Sequence, residues 1–172
     1  EHGAINLSQG FPDFEPPRRL VDFVAGHLRR AASNQYAPMA GLPSLREAIA
    51  AKVATYYGRS VDPESDITVT SGGTEALFCA IQALVRARDE VLVLDPAYDS
   101  YEPAVTLAGG RTVHVPLRRP GFSPDWDHVR AALTPHTRLL ILNFPHNPSG
   151  AAFDAADLRL LGVRHPHELA GR

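Results

Sequence analysis

Apolar and polar positions divide the chain into two regimes: helix-length amphipathic stretches in the first third, then short apolar runs alternating with helical patterns. From Pro17, RRLVDFVAGHLRRAA places Leu20, Phe23, Val24 and Leu28 at helical spacing, with Arg29 and Arg30 near the end where cations suit the helix dipole. It reads as an amphipathic surface helix. Before it, INLSQGFPDFEPP alternates poorly and carries Gly10, Pro12, Pro16 and Pro17, which predicts an extended, turn-rich arm. NQYAPMAGLPSLREAIAAKVATYYG begins as a loop punctuated by Pro38, Gly41 and Pro43. It continues as a helix with Leu45, Ile49, Val53 and Tyr56 on one face, stopped by Gly58.

The stretch DITVTSGGTEALFCAIQALVR predicts a strand over Ile67–Thr70, a small-residue turn at Ser71, Gly72 and Gly73, and a helix opening at Thr74 and Glu75. That geometry presents free backbone N–H groups to an anion. Taken alone the turn has two readings, an anion site or a plain strand-to-helix turn with Ser71 or Thr74 as N-cap. It lacks the lysine of a nucleotide P-loop and the third glycine of a dinucleotide fingerprint, which disfavours NTP and NAD. Beyond Arg86, EVLVLDP, RTVHVPL and RLLILNF read as strands, and Asp99–Leu107 and PDWDHVRAAL as the helices between them. Such alternation predicts an α/β fold with a doubly wound, mainly parallel sheet, whose ligands lie beyond the carboxyl ends of the strands. Three loops then converge on one edge: Ser71–Thr74, Pro96–Tyr98 and Pro145–Gly150.

Composition narrows the partners. The 172 residues, 44% hydrophobic and 21% charged, suit about one globular domain, and a net charge of -2 gives no electrostatic reason for nucleic acid or an anionic membrane. No window has the apolar length of a membrane span, and the first residues lack a signal pattern. The sequence does not open on Met, so the start of translation is expected upstream. A single cysteine, Cys79, reads as a small buried thiol in the helix after the glycine turn and points to a reducing, cytoplasmic setting. Eight histidines include His165 and His167, but no His-Glu-x-x-His or cysteine pairing suggests a metal site, and no G-x-S-x-G elbow suggests a serine hydrolase.

Two further residues carry chemistry. Tyr98 follows Asp95-Pro96-Ala97 at a strand end, where an aromatic ring covers the sheet edge or lies flat on a planar heterocycle; alone, the first reading is favoured. In NFPHNPSG, two prolines hold Asn147 in a fixed posture at the end of a buried strand, where its amide suits a phenolic oxygen.

In this order, SQGFPDF, NQYAPMAGLPSLREAIA, SGGTEALFCAI, DPAYDSYEP and NFPHNPSG resemble the pyridoxal-phosphate-dependent aminotransferases of class I/II, the aspartate aminotransferase fold, and within it the methionine and kynurenine aminotransferase-like branch. The resemblance runs from Ile5 to Leu161. It implies pyridoxal 5'-phosphate as cofactor and transamination between an amino acid and a 2-oxo acid. Gly73 and Thr74 would hold the cofactor phosphate, Tyr98 would stack on the pyridine ring, and Asn147 would hydrogen-bond the ring's 3-oxygen. Tyr36 is similar to the tyrosine that reaches a neighbouring subunit's cofactor in a homodimer, and Gly10 to the arm glycine that closes over the substrate carboxylate. The implied division is an N-terminal arm and helices at 1–58, contributing to the small domain and dimer contact, a partial cofactor-binding large domain at 59–161, incomplete on its C-terminal side, and a tail at 162–172.

The chain also departs from the family. Its one lysine, Lys52, falls inside the amphipathic helix before the glycine turn and reads as a solvated surface residue, so the Schiff-base lysine has no counterpart here. The Asp and Tyr of the next strand and the Ser-x-x-Lys segment are likewise missing. GVRHPHELAGR is similar to a later stretch of the family, which predicts omitted residues or a deletion between about Leu161 and Pro166, and a Ser-x-x-Lys strand encoded after Arg172. A catalytically inactive remnant acting as a binding or dimerisation module is the competing expectation. A related pyridoxal-phosphate lyase or synthase is a third.

Overall fold

The computed structural model describes residues 3, 5, 10 and 12–161. Most of the SQGFPDF arm and the tail at 162–172 lie outside them. The described residues form two compact units, divided between Met39 and Ala40. The helix that the sequence groups with the arm therefore belongs to the same unit as the sheet.

The first unit holds α1, Arg18–Leu28, and a 3-10 turn at Ala31–Ser33. Asn34 closes the helix end by donating from Nδ2 to the carbonyls of Leu28 and Arg30, both at 2.9 Å. α1 buries no residue, and the apolar positions Leu20, Phe23, Val24 and Leu28, which an amphipathic helix would turn to a core, are exposed.

The second unit begins with α2, Pro43–Tyr57, which starts on a proline at its first position and ends at Gly58 in the left-handed conformation, φ 61°. Arg46 is buried and donates to the carbonyls of Pro63 and Glu64 at 2.6 and 3.3 Å, fastening α2 to the turn that follows it. Gly41 is required where it stands, because a Cβ there would meet the Val69 side chain at 2.6 Å and its φ is +96°.

Residues Ile67–Thr70 are not a strand. Their one backbone bond to another segment runs from Val69 N–H to the Ala40 carbonyl at 3.0 Å, among the described residues. A β-branched run becomes a strand only when a neighbour completes a ladder, and the three strands of the sheet pair with one another. Helix α3 then begins at Gly72, two residues before the expected Thr74, and continues to Leu84.

The sheet has the order β2-β1-β3, all parallel, with β1 (Glu90–Asp95) central, β2 (Arg111–Pro116) on one side and β3 (Thr137–Ile141) on the other. Burial on both sides is what EVLVLD encodes. Val91 and Val93 pack with Ile81 of α3, with Val85 just beyond its end, and with Tyr101, Ala104 and Val105 of α4, Tyr101–Leu107. Leu92 and Leu94 pack on the other face with Val115, Leu117 and Val129, the last from α5, Trp126–Ala131. Asp125 caps α5 by accepting from His128 N–H at 3.0 Å. α6, Ala155–Leu160, starts with a capping box between Asp154 and Asp157. From β1 the chain runs through α4 to β2 on one side and then through α5, on the opposite face, back past β1 to β3, so the sheet is doubly wound and its switch point lies beside β1.

Cys79 is exposed on α3, contrary to the buried thiol expected. α3 turns Leu77 and Ile81 to the sheet and α4, and Phe78 and Leu84 are exposed with Cys79 on the remaining surface.

Glu90 starts β1 as a buried carboxylate, accepting from Thr134 Oγ1 at 2.8 Å and Arg111 at 2.5 Å. The Thr134 hydroxyl, then the Arg111 guanidinium, hold its carboxyl below the ordinary range although burial opposes them. A carboxyl with a lowered native pKa stabilises the fold above the ordinary carboxylate range, and that contribution is lost as pH falls through the native pKa. Urea midpoints are therefore expected to drop below about pH 4. Glu90→Gln is expected to be less stable at neutral pH and to show a shallower acid slope; an unchanged slope contradicts the assignment. In the core, Ile81→Ala is expected to cost about 2–5 kcal/mol in the same assay.

Candidate active site

The cleft at the switch point is built by the loops after β1 and β3 together with the first turns of α3 and α4. Gly73, Thr74, Leu77, Tyr98, Tyr101, Asn143 and Asn147 line an open cavity of ≈ 330 Å³. Tyr98 comes from the loop after β1, Asn143 and Asn147 from the loop after β3, and Gly73 and Thr74 from the first turn of α3. The three loops expected to converge do meet.

At the α3 end, Gly72 N–H turns back to the Thr70 carbonyl at 2.9 Å, and the Glu75 carboxylate accepts the Ser71 N–H. Ser71 is the N-cap by position and its side chain makes no capping bond. The amides of Gly73 and Thr74 find no backbone acceptor among the described residues. A Cβ added at Gly72 or Gly73 would meet nothing within 4 Å, so this face of the turn is open. A helix start of this kind attracts an anion through N–H groups and dipole together.

Tyr98 is half-buried, with its ring 5.7 Å from that of Tyr101 at 62°, an edge-to-face pair. Tyr101 is buried in the core, and burial, then the neighbouring Tyr98, pushes its phenol up. The anchor under Tyr98 is thus neutral and fixed.

The PHNPSG loop is braced by His146. This residue is buried, its N–H donates to the Ala151 carbonyl at 2.7 Å, and its carbonyl accepts from Gly150 at 2.6 Å. Its Nδ1 lies 2.7 Å from Ser149 Oγ, which also accepts from Ala151 N–H at 3.3 Å. With His146 inward, Asn147 is exposed at the cleft, and its amide bonds to none of the described residues. Among the described residues Asn147 thus does not cap its own turn.

Residues 2–166 match the family described as aminotransferase class I and II. The chain belongs to this family of aminotransferases. It is 54% identical over 161 residues to a methionine aminotransferase of Escherichia coli, covering 94% of this chain and 42% of that protein. Human kynurenine–oxoglutarate transaminase 1 is 38% identical over 177 residues, covering 94% and 41%. A crystal structure of the Escherichia coli protein with methionine aminotransferase function superposes with a TM-score of 0.88 at 52% identity, covering 99% of this chain and 44% of that one. The chain thus spans about two fifths of the length of the relatives it matches.

Within this aminotransferase segment, the cleft brings together Gly73, Thr74, Tyr98 and Asn147. Tyr36 and Gly10 belong to the first unit, where Tyr36 is fully exposed and Gly10 is exposed. Lys52 is exposed in the middle of α2 and does not line the cleft. Sequence reasoning missed Tyr101, Asn143 and the His146–Ser149 brace. The signals were available: Tyr101 lies three residues after Tyr98 at a helix start, and Ser149 three after His146 across a proline turn. A larger cavity of ≈ 470 Å³ lies beside the cleft, shares Tyr98 as a wall, and is lined by Asp95, Glu102, His114 and Arg119.

The brace makes a direct prediction. Ser149→Ala strips His146 Nδ1 and the Ala151 amide of a partner and is expected to destabilise the fold by about 1–3 kcal/mol in urea. A loss smaller than a few tenths contradicts the role given to Ser149.

Proposed function

We propose that the cleft holds pyridoxal 5'-phosphate, and that the protein moves an amino group between an amino acid and a 2-oxo acid. The observation that supports this best is the meeting of an open helix start, an anchored aromatic face and a free amide on one cavity at the switch point. Phosphate, ring face and phenolic oxygen are the three features of that cofactor that such a set would bind. Its relatives named for methionine and kynurenine transamination support the same reading, and those two amino acids are the substrates to try first.

In this reading Gly73 and Thr74 hold the phosphate by their amides, with the Thr74 hydroxyl as a further donor. Tyr98 covers one face of the ring, held at a fixed tilt by Tyr101, and keeps water from that face. The Asn147 amide donates to the 3-oxygen. Bound there, the cofactor withdraws the electrons left when a substrate's alpha proton is removed. Tyr36, fully exposed, reaches the cofactor phosphate of a neighbouring subunit in a homodimer, and Gly10 lies in the arm that closes over the substrate carboxylate. The molecule works in the cytoplasm.

A second reading holds if no lysine of the whole protein reaches the cleft, which the exposed Lys52 of α2 does not line. On that view the chain is an inactive remnant that binds or dimerises without transamination. The two separate experimentally. Full-length protein is assayed for 2-oxo acid formed from methionine or kynurenine, beside pyridoxal phosphate affinity by equilibrium dialysis. The proposal expects activity, with Thr74→Val and Asn147→Ala each weakening affinity about tenfold or more, since hydrogen bonds to charged groups are worth about 1.5–3 kcal/mol. Affinity without activity favours the remnant. No affinity at all overturns both uses of the cleft.

A further inference from the structure

The proposed function leaves unused an acid–base cluster on the other side of Tyr98. His114 stands on β2 opposite Val93 of β1. Its Nδ1 lies 3.0 Å from Asp95 Oδ1 and its Nε2 3.9 Å from Glu102 Oε2. Asp95 is the last residue of β1 and Glu102 lies in the first turn of α4. The two carboxylates therefore bracket the short segment that carries Tyr98. Asp99 and Arg119 line the same cavity, the first adding negative charge and the second a cation, and neither forms an ion pair with a described residue there.

We propose that His114 is a positioning residue for Tyr98, tying the Asp95–Glu102 segment to β2 through its contact with Asp95 at one end and its approach to Glu102 at the other. The Asp95 contact is at hydrogen-bond distance, whereas Glu102 at 3.9 Å is near the ring without a direct hydrogen bond. Without the ring between them, Asp95 and Glu102 repel, and the loop between them loses its tether on the β2 side. Its other side is already held by the edge of Tyr101. The side chains of His114, Asp95 and Glu102 are 39%, 36% and 65% exposed, so the effect is that of surface ion pairs, a few-fold rather than a collapse.

This inference rests on the reading of Tyr98 as a cofactor-facing ring. The test compares His114→Gln and His114→Arg in the full-length protein, by amide hydrogen exchange over residues 97–102 and by pyridoxal phosphate affinity in dialysis. His114→Gln is expected to speed exchange in 97–102 about two- to fivefold and to weaken affinity by a similar factor. His114→Arg, which supplies several donors to the same carboxylates, restores both. Unchanged exchange in 97–102 overturns the proposal, as does faster exchange spread evenly over the chain, which marks a loss of global stability alone. Local exchange that rises in Gln and recovers in Arg, with no pyridoxal phosphate bound by the unmutated protein, upholds the tether and overturns the cofactor reading.

Discussion

The burial of Glu90–Leu94 in β1 is the constraint on which the rest of the second unit depends. Val91 and Leu92 are inaccessible to solvent, and four consecutive residues, Val91–Leu94, alternate between two separate apolar clusters. A strand buried on both faces has to be central, with helices on each side, and its carboxyl end opens between connections that run in opposite directions. The Tyr98 loop starts at that end. Disturbing the Ile81, Val85 and Val105 packing under β1 would therefore reach the cleft without touching any residue that lines it through its polar groups. At the opposite end of the strand, Glu90 is tolerated in the core only because Thr134 and Arg111 satisfy it.

Much of this was legible locally. EVLVLD announces a doubly covered strand, Pro43 and Gly58 bracket α2, and Asp125 marks the start of α5, because each signal acts within a few residues of itself. What escaped depends on partners distant in sequence. Ile67–Thr70 has strand-forming residues and no ladder. Cys79 lies on an apolar stretch of α3, yet only part of that helix's circumference meets the sheet and α4. No local pattern states which part.

The candidate site shows the same division. Gly73, Thr74, Tyr98 and Asn147 stand out in sequence because glycines at a helix start, an aromatic at a strand end and an amide between prolines are unusual in combination. Their supports do not stand out. Tyr101, His146 and Ser149 look like ordinary loop and helix residues, and only the fold shows the first as the buried edge under Tyr98 and the others as the brace behind Asn147. In the loops after β1 and β3 a residue facing the cleft stands beside a buried neighbour one to three positions away, Tyr101 for Tyr98 and His146 for Asn147.

The central claim is that the first turn of α3 receives the phosphate of pyridoxal phosphate. Its most direct test is an NMR titration of the labelled protein with pyridoxal phosphate, following backbone amide shifts. Gly73 and Thr74 are expected to move furthest, Asn147 and Tyr98 to follow, and inorganic phosphate to shift the first pair alone. Shifts confined to the neighbouring cavity around Asp95, His114 and Arg119, with Gly73 and Thr74 unmoved, would contradict it.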